Sequence, residues 1–276
     1  MDQPLRTMIL ERALERRAAG RSIEAPEPST PHDAARAAVD QLHDVLASLR
    51  ADEWDTMTHV DIGTVRDLVT HLLGIERLVL AAVTTDDASI ATDHLGSSRA
   101  AAADADALEP AALATTWHTA AIRALDACAT ADAERRVTFS GLPTDVEGLL
   151  VLRSFELWAH TLDVCAATGR PPPEVESARL ALMSSRLMRV LPGAFVLRAV
   201  DPPVARVRFV LTGDGGGCYD VDLGAGESTV TVVADTLDVC RVASRRLAPG
   251  ALETVIEGDD HAANAVLLVL DAFARD

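Results

Sequence analysis

One short stretch, Gly169 followed by Pro171-Pro172-Pro173, constrains the fold of this chain more than any other. Glycine readily adopts the left-handed conformation that ends a helix, and proline lacks the backbone N–H that a helix needs to continue. Apolar residues recur at helical spacing before this stop and alternate as in strands after it. The sequence therefore predicts a helical domain followed by a smaller α+β domain.

The helical part contains long amphipathic patterns, which lie at residues 31–49, 64–83, 108–128 and 146–168. Residues 84–110 are predicted to be mainly loop, although an alanine run within them could be helical, and residues 137–141 are predicted to be extended. Long helices that pack side by side form a four-helix bundle, which we assign to residues 31–170. Residues 1–30 combine a helix-like stretch with a proline-rich linker and are interpreted as an N-terminal extension.

The predicted C-terminal domain covers residues 178–276. Its strand and helix patterns are, in chain order, strands at 204–211, 219–223 and 228–234, a helix at 235–247, a strand at 252–257 and a helix at 261–274. The glycine-rich run between the first two strands lacks a following Gly-Lys-Ser. It is therefore interpreted as a hairpin turn and not as a phosphate-binding loop.

Glu156 and His160 are the candidate functional residues of the last bundle helix. They are one helical turn apart, so their side chains project from the same face. Most residues around them are apolar, and a carboxylate and an imidazole buried there would cost on the order of several kcal/mol without compensation. A bound metal ion would supply that compensation. A weak surface ion pair is the alternative for a Glu-x-x-x-His pair of this kind.

His71 lies on the apolar stripe of the second predicted helix, between Leu68 and Ile75. It is far from Glu156 in the sequence, so the three groups can meet only if two long helices pack side by side. Bundle cores build metal sites in this way, from inward-facing side chains on facing helices. Taken alone, a histidine in this position is more often a hydrogen-bonded core residue than a metal ligand.

Two segments carry a family resemblance. They are residues 64–74 (TVRDLVTHLLG), preceded by Glu53-Trp54, and residues 153–163 (RSFELWAHTLD). Over residues 35–170 the chain resembles the mycothiol-dependent maleylpyruvate isomerase family, which belongs to the DinB-like four-helix bundle superfamily.

The resemblance implies a divalent metal, usually zinc in this superfamily, held by His71, Glu156 and His160. It also implies mycothiol as a thiol cosubstrate. The C-terminal part resembles the sterol-carrier-like domain that follows the bundle in this family. The segments that carry this second resemblance are Asp238-Val239-Cys240-Arg241, Arg245-Arg246 and Glu257-Gly258-Asp259.

Composition excludes several classes of protein. The formal net charge is −17, which argues against nucleic acid and anionic membranes as partners. All 25 basic residues are arginine, so Schiff-base chemistry on a lysine is excluded. No apolar run approaches the roughly 18 residues of a membrane span, and no export signal is visible. A cytoplasmic protein with free cysteines is therefore expected, and the excess of arginine and alanine suggests an actinobacterial genome.

The predicted function is a metal-dependent enzyme that activates mycothiol for attack on a small electrophile, as a thiol-dependent isomerase or a thiol S-transferase. Three protein ligands leave one position open on a tetrahedral zinc, as catalytic sites do. Arg77 and Arg241 are candidates to hold a substrate carboxylate, and Asp163 is a candidate to orient a ligand imidazole.

Two other functions stay open at this point. The protein could be a non-catalytic metal-binding bundle that acts as a stress-linked or regulatory interaction protein, or its C-terminal domain could carry an apolar ligand. Isomerisation and thiol transfer share their first step, so the sequence leaves both open, together with the electrophile, the metal and the oligomeric state.

Overall fold

The structure, a computed structural model, describes residues 27–59, 62–85, 94–105, 107–139, 142–224 and 227–274. The helix-like stretch near the N-terminus lies outside these residues. The helices are α1 (Pro31–Ala47), α2 (Val65–Thr84), α3 (His94–Ala105), α4 (Pro110–Thr130), α5 (Val146–Thr168), α6 (Ser177–Arg198), α7 (Thr236–Ala243) and α8 (Asp260–Leu267). The strands are β1 (Met57–His59), β2 (Gly63–Thr64), β3 (Arg136–Phe139), β4 (Leu142–Asp145), β5 (Arg206–Thr212), β6 (Gly217–Asp222), β7 (Thr229–Asp235) and β8 (Thr254–Glu257).

Capping residues explain where the bundle helices begin. The side chains of Thr30, Thr64 and Asp145 each accept a hydrogen bond from a backbone N–H in the first turn of α1, α2 and α5, respectively. Such caps satisfy N–H groups that have no partner within the helix. The predicted starts of these three helices are therefore confirmed to within one residue.

The predicted stop after α5 is also confirmed. Gly169 ends the helix in the left-handed conformation, with φ of 68°. Arg170 then donates hydrogen bonds of 2.8 Å to both carboxylate oxygens of Glu53, in the 3-10 segment Ala51–Asp55. The end of the helix that carries Glu156 and His160 is thereby held against the segment that precedes the His71 helix.

Helices α1, α2, α4 and α5 pack together as a bundle around one apolar core. Helix α3 lies against α2. The prediction of mainly loop is wrong for residues 94–105, where the alternative, a helical alanine run, is confirmed. Its alanine-rich sequence has high helix propensity, and Ala101 and Ala105 are buried in the bundle core.

Helix α6 joins the two halves of the molecule, and the sequence patterns did not indicate it. Its first half packs beside Trp158 of α5, while its second half contributes Leu191 and Phe195 to the core of the α+β half. Contacts on opposite sides remove the amphipathic period that reveals a surface helix. By length and composition α6 would pass as a membrane span, as core helices also can, and half of that stretch is buried inside the protein.

The α+β half contains a four-stranded sheet in the order β6-β5-β7-β8. Strands β5 and β7 are parallel, and the two outer pairings are antiparallel. Gly213 and Gly215 have φ of 79° and 68° in the turn between β5 and β6, which confirms the predicted hairpin turn. The predicted fold class, a helical bundle followed by a smaller α+β unit, is confirmed. All four cysteines are free, as expected.

Candidate metal centre

His71 of α2 meets Glu156 and His160 of α5 where the two helices face each other. One nitrogen or carboxylate oxygen from each residue lies within 4.8 Å of the others. Nε2 of His71 is 4.0 Å from Oε1 of Glu156, and the two imidazole centroids are 6.3 Å apart. The three side chains are only 6% to 24% exposed. Three groups from distant parts of the sequence therefore form one compact, largely buried cluster.

The cluster fits a divalent cation. Two imidazoles and one carboxylate form one of the ligand sets that hold catalytic zinc and leave a fourth position open. Bonds of this kind place the ligand atoms of a tetrahedral zinc about 3.3 Å apart, so small side-chain movements would close the cluster around an ion. The same mixture of nitrogen and oxygen donors also suits other divalent metals.

His160 is oriented by a second group of side chains. Its Nδ1 lies 3.0 Å from Oδ2 of Asp163, which leaves Nε2 facing the cluster. Arg246, which follows α7, in turn donates a hydrogen bond of 3.0 Å from Nε to Oδ1 of Asp163. Burial opposes ionisation of Asp163, but the hydrogen bonds from His160 and Arg246 outweigh it and lower its pKa. The α+β half therefore contributes to the orientation of a ligand in the bundle.

Glu156 is held by an arginine inside the bundle. Arg153 donates hydrogen bonds to Oε2 of Glu156 and to Oε1 of Glu76 on α2, which leaves Oε1 of Glu156 directed towards His71. Arg153 and Glu76 are 2% and 4% exposed. Burial alone would raise the pKa of Glu156, but the nearby charges of Arg153, His160 and His71 lower it to about 2. The carboxylate is therefore ionised and ready to bind a cation.

A cavity of about 470 Å³ opens beside the cluster. Glu156 and His160 form part of its wall, and most of the remaining wall is apolar. The other walls come from the β3–β4 hairpin, from α6, from Ala243, Ser244 and Arg246 at the end of α7, and from the last described residues of the chain. A small molecule bound there would lie against two of the three candidate ligands.

The two arginines predicted to hold a substrate carboxylate lie elsewhere. Arg77 forms an ion pair of 2.7 Å with Asp104 of α3, and Arg241 forms one of 2.9 Å with Asp238 within α7. Neither arginine lines the cavity. Their role in substrate binding stays a prediction.

The sequence analysis missed Glu76 and the contact of Arg246 with Asp163. Glu76 did leave a signal, because it is a carboxylate among the buried apolar residues in the middle of α2. Arg246 appeared only in a segment of the C-terminal resemblance, and its contact with Asp163 left no signal, since the two residues are 83 positions apart and on different halves of the molecule.

Comparison with known proteins agrees with this architecture. Residues 35–165 match the family described as the mycothiol maleylpyruvate isomerase N-terminal domain. Two uncharacterized proteins of Mycobacterium tuberculosis, from strains CDC 1551 / Oshkosh and ATCC 25618 / H37Rv, are each 28% identical over 246 residues, which cover 87% of this chain and 93% of theirs.

Solved structures show the same fold. A crystal structure of the mycothiol-dependent maleylpyruvate isomerase has a TM-score of 0.55 and 15% identity, over 81% of this chain and 91% of that one. A variant of it with histidine replaced by alanine matches over the same shares, with the same TM-score and 16% identity. The fold and the candidate site define a helical bundle followed by an α+β unit, with a candidate metal-ligand set in the bundle. Through residues 35–165 the chain is similar to the mycothiol maleylpyruvate isomerase family.

Proposed function

We propose that this protein is a metal- and mycothiol-dependent enzyme that acts on a small electrophile, with isomerisation as the leading reaction and thiol S-transfer as the alternative. His71, Glu156 and His160 would hold the metal, which we take to be zinc. The observation that carries the proposal is the convergence of these three groups within 4.8 Å, with Glu156 and His160 in the wall of a cavity large enough for a substrate. The family supports mycothiol as the thiol.

The residues around the cluster would prepare it for thiol chemistry. A divalent cation held there lowers the pKa of a thiol that it binds and so supplies a thiolate at neutral pH. Asp163 keeps the Nδ1 proton of His160 in place and its Nε2 free, while Arg153 keeps Glu156 ionised and in position. The apolar wall of the cavity would exclude water, which otherwise competes with the thiol for the electrophile.

Isomerisation and transfer differ only after the thiol has added. In isomerisation the sulfur adds to an activated double bond, the former double bond rotates as a single bond, and the thiol leaves again. In transfer the adduct takes up a proton and is released as a thioether. Both reactions use a soluble thiol, and we expect them in the reducing cytoplasm.

The proposed domain boundaries separate the part of the chain that would bind the metal from the part that completes the cavity. We assign residues 31–170 to the metal-binding bundle and 178–276 to a C-terminal domain that completes the cavity, with residues 1–30 as an extension. Helix α6 would then be the first element of the C-terminal domain.

The test measures bound metal first and thiol consumption second. The purified protein should contain about one divalent metal per chain, and the metal-loaded protein should isomerise maleylpyruvate, or another activated alkene, only when mycothiol is present. His71→Ala should lose both metal and activity. His118→Ala is the matched control, because His118 stacks on His43 at the surface of the bundle, away from the cluster.

Two results would contradict the proposal. Full activity of His71→Ala would remove His71 from the ligand set. Stoichiometric metal without thiol consumption, against a broad panel of electrophiles, would favour the non-catalytic metal-binding bundle.

A further inference from the structure

The cavity beside the candidate metal centre is elongated and follows one face of α5. The α5 residues in its wall recur every three or four positions, as one face of a helix does: Gly148, Val151, Leu152, Phe155, Glu156, Ala159 and His160. From Gly148 to His160 this face is about 18 Å long at 1.5 Å per residue. The candidate ligands occupy only one end of it, so most of the cavity extends away from the metal centre.

The walls between the two ends are apolar. The apolar side chains that face α5 across the cavity come from the β3–β4 hairpin, from α6 and from the end of the chain: Phe139, Leu187, Val190, Val196, Leu197, Leu270 and Phe273. A small, polar dicarboxylate would leave these walls in contact with water. An apolar molecule would instead gain free energy in proportion to the area that it covers.

Arginines lie at the end of the cavity opposite His160. Arg186 of α6 is 22% exposed, and its Nη2 is 3.5 Å from Oδ1 of Asp145. That carboxylate oxygen already accepts the N–H of Gly148 as the cap of α5. A second arginine, Arg136, stands beside Asp145 in the β3–β4 register and also lines the cavity. The two arginine side chains and the single carboxylate of Asp145, which is already hydrogen-bonded to the helix, give this end of the cavity a net positive charge.

Gly148 makes this arrangement possible. A Cβ atom at position 148 would lie 2.1 Å from Nη2 of Arg186, so only glycine lets the guanidinium lie against the first turn of α5. The position of Arg186 is therefore built into the helix that also carries Glu156 and His160.

We propose that the electrophile of this enzyme is an elongated amphipathic acid, with an apolar chain along α5, an anionic group at Arg186 and the reacting carbon at the metal centre. This assignment rests on the proposed function. Gly148 and Glu156 are about 12 Å apart along the helix at 1.5 Å per residue. An extended chain advances about 1.2 Å per bond, so about ten bonds separate the carboxylate from the reacting carbon.

The first experiment measures binding without any reaction. Undecanoate, heptanoate and methyl undecanoate are titrated into the zinc-loaded protein by calorimetry. Undecanoate should bind at least about thirtyfold more tightly than heptanoate, because four more methylene groups are buried. It should also bind about tenfold more tightly than its uncharged methyl ester, because only the acid pairs with Arg186.

Two pairs of variants locate the binding. Arg186→Gln should remove the preference for the acid over the ester, whereas Arg189→Gln, on the exposed side of the same helix, should leave it unchanged. Gly193→Phe should block undecanoate, since Gly193 lines the cavity and a Cβ there meets only Phe273, at 3.7 Å. Gly193→Ala adds that Cβ alone and should bind undecanoate normally. Equal metal content in all four variants checks that the bundle is intact.

The second experiment measures the reaction of mycothiol with terminal epoxides of undecanoate and heptanoate. The sulfur–carbon bond forms at the terminal carbon as the carbon–oxygen bond breaks, and the oxygen takes up a proton. The product is a hydroxy thioether, and no oxidant or reductant is needed. The kcat/KM for epoxyundecanoate should exceed that for epoxyheptanoate at least about thirtyfold, and Arg186→Gln should reduce it mainly through KM.

The possible failures are distinguishable. Equal binding of undecanoate and heptanoate, or no effect of Arg186→Gln, overturns the substrate assignment even if maleylpyruvate is isomerised. Tight undecanoate binding without mycothiol consumption by any electrophile overturns the proposed function, and the substrate assignment with it, and makes the cavity a carrier site.

Discussion

The two halves of the molecule bury different kinds of side chain. Between α2 and α5 the bundle buries an ionic group made of Glu76, Arg153 and Glu156 beside two histidines. Among the described residues from 204 onwards, the buried polar side chains are Thr236 and Ser244, neither of which is charged, whereas α6, which joins the two halves, buries the charged Arg179. The sheet instead keeps its ion pairs, such as Arg208 with Asp220, on an exposed face.

This difference indicates that the buried charges of the bundle serve a chemical function at a cost in stability. Buried ion pairs are often no better for stability than apolar residues of the same volume, because desolvation of the charges opposes their attraction. The core of the α+β half is a cluster of apolar side chains without such a group. The ionic group in the bundle is therefore best explained by the cation that it would position.

Removing the central arginine should have the largest effect. Arg153→Leu leaves the carboxylate of Glu76 buried without its cation, and we expect a loss of about 3 to 5 kcal/mol in the free energy of unfolding at neutral pH. The measurement is denaturant unfolding of the metal-free protein. The double variant Arg153→Leu with Glu76→Leu should recover at least half of that loss. No recovery would mean that the ionic group stabilises the bundle by itself.

The same variant should have a stronger pH dependence than the native protein. Burial raises the pKa of Glu76 above its ordinary value even in the native protein, although Arg153 opposes that rise. Without Arg153 the folded-state pKa of Glu76 should rise further above its unfolded value. The variant is then least destabilised at pH values below the ordinary carboxyl pKa, and it loses stability as the pH rises towards the raised folded-state pKa. A loss in unfolding free energy that does not change with pH would show that the buried carboxyl group of Glu76 does not cause it.

A core substitution in the α+β half should separate stability from metal binding. Val232→Ala removes methyl groups from a fully buried position of β7, and we expect a loss of about 2 kcal/mol in unfolding free energy. The metal affinity of the folded protein should not change, since Val232 belongs to the apolar core of the other half. A parallel loss of metal affinity would show that the two halves are more tightly coupled than this comparison implies.

Changing Asp163, which connects the two halves through Arg246, should have a smaller effect, and on metal binding alone. Asp163→Asn weakens the support of His160 and should reduce metal affinity about tenfold, which corresponds to about 1.4 kcal/mol. Asp238→Asn is the matched control, because Asp238 pairs with Arg241 on α7 and not with a ligand. Competition with a chelator of known affinity measures both variants. Equal affinities would remove Asp163 from the site.

A surface pair on the sheet should have the smallest effect. Arg208→Gln breaks an ion pair whose two side chains are each about half exposed. We expect a loss in unfolding free energy too small to resolve by denaturant unfolding, because solvent and salt screen such pairs. A loss as large as that of Arg153→Leu would abolish the distinction between the two halves.

The sequence by itself determined the local structure and the candidate ligands. The caps Thr64 and Asp145, the stop at Gly169 and the spacing of Glu156 and His160 act through neighbours within one or two helical turns, and such short-range rules can be read along the chain. His71 was a candidate from its place on the apolar stripe of its helix, and the family resemblance then joined it to Glu156 and His160 as one ligand set. For these reasons the starts of α1, α2 and α5, the hairpin turn and the fold class were predictable.

Only the tertiary structure decided the rest. Arg153 could have paired with several acidic residues, and only the packing of α2 against α5 selected Glu76 together with Glu156. Helix α6 could not be predicted from its sequence pattern because it is buried on opposite sides. The cavity exists only where α5, α6 and the β3–β4 hairpin meet. Contacts between residues far apart in sequence depend on how whole elements pack, and no local period records that packing.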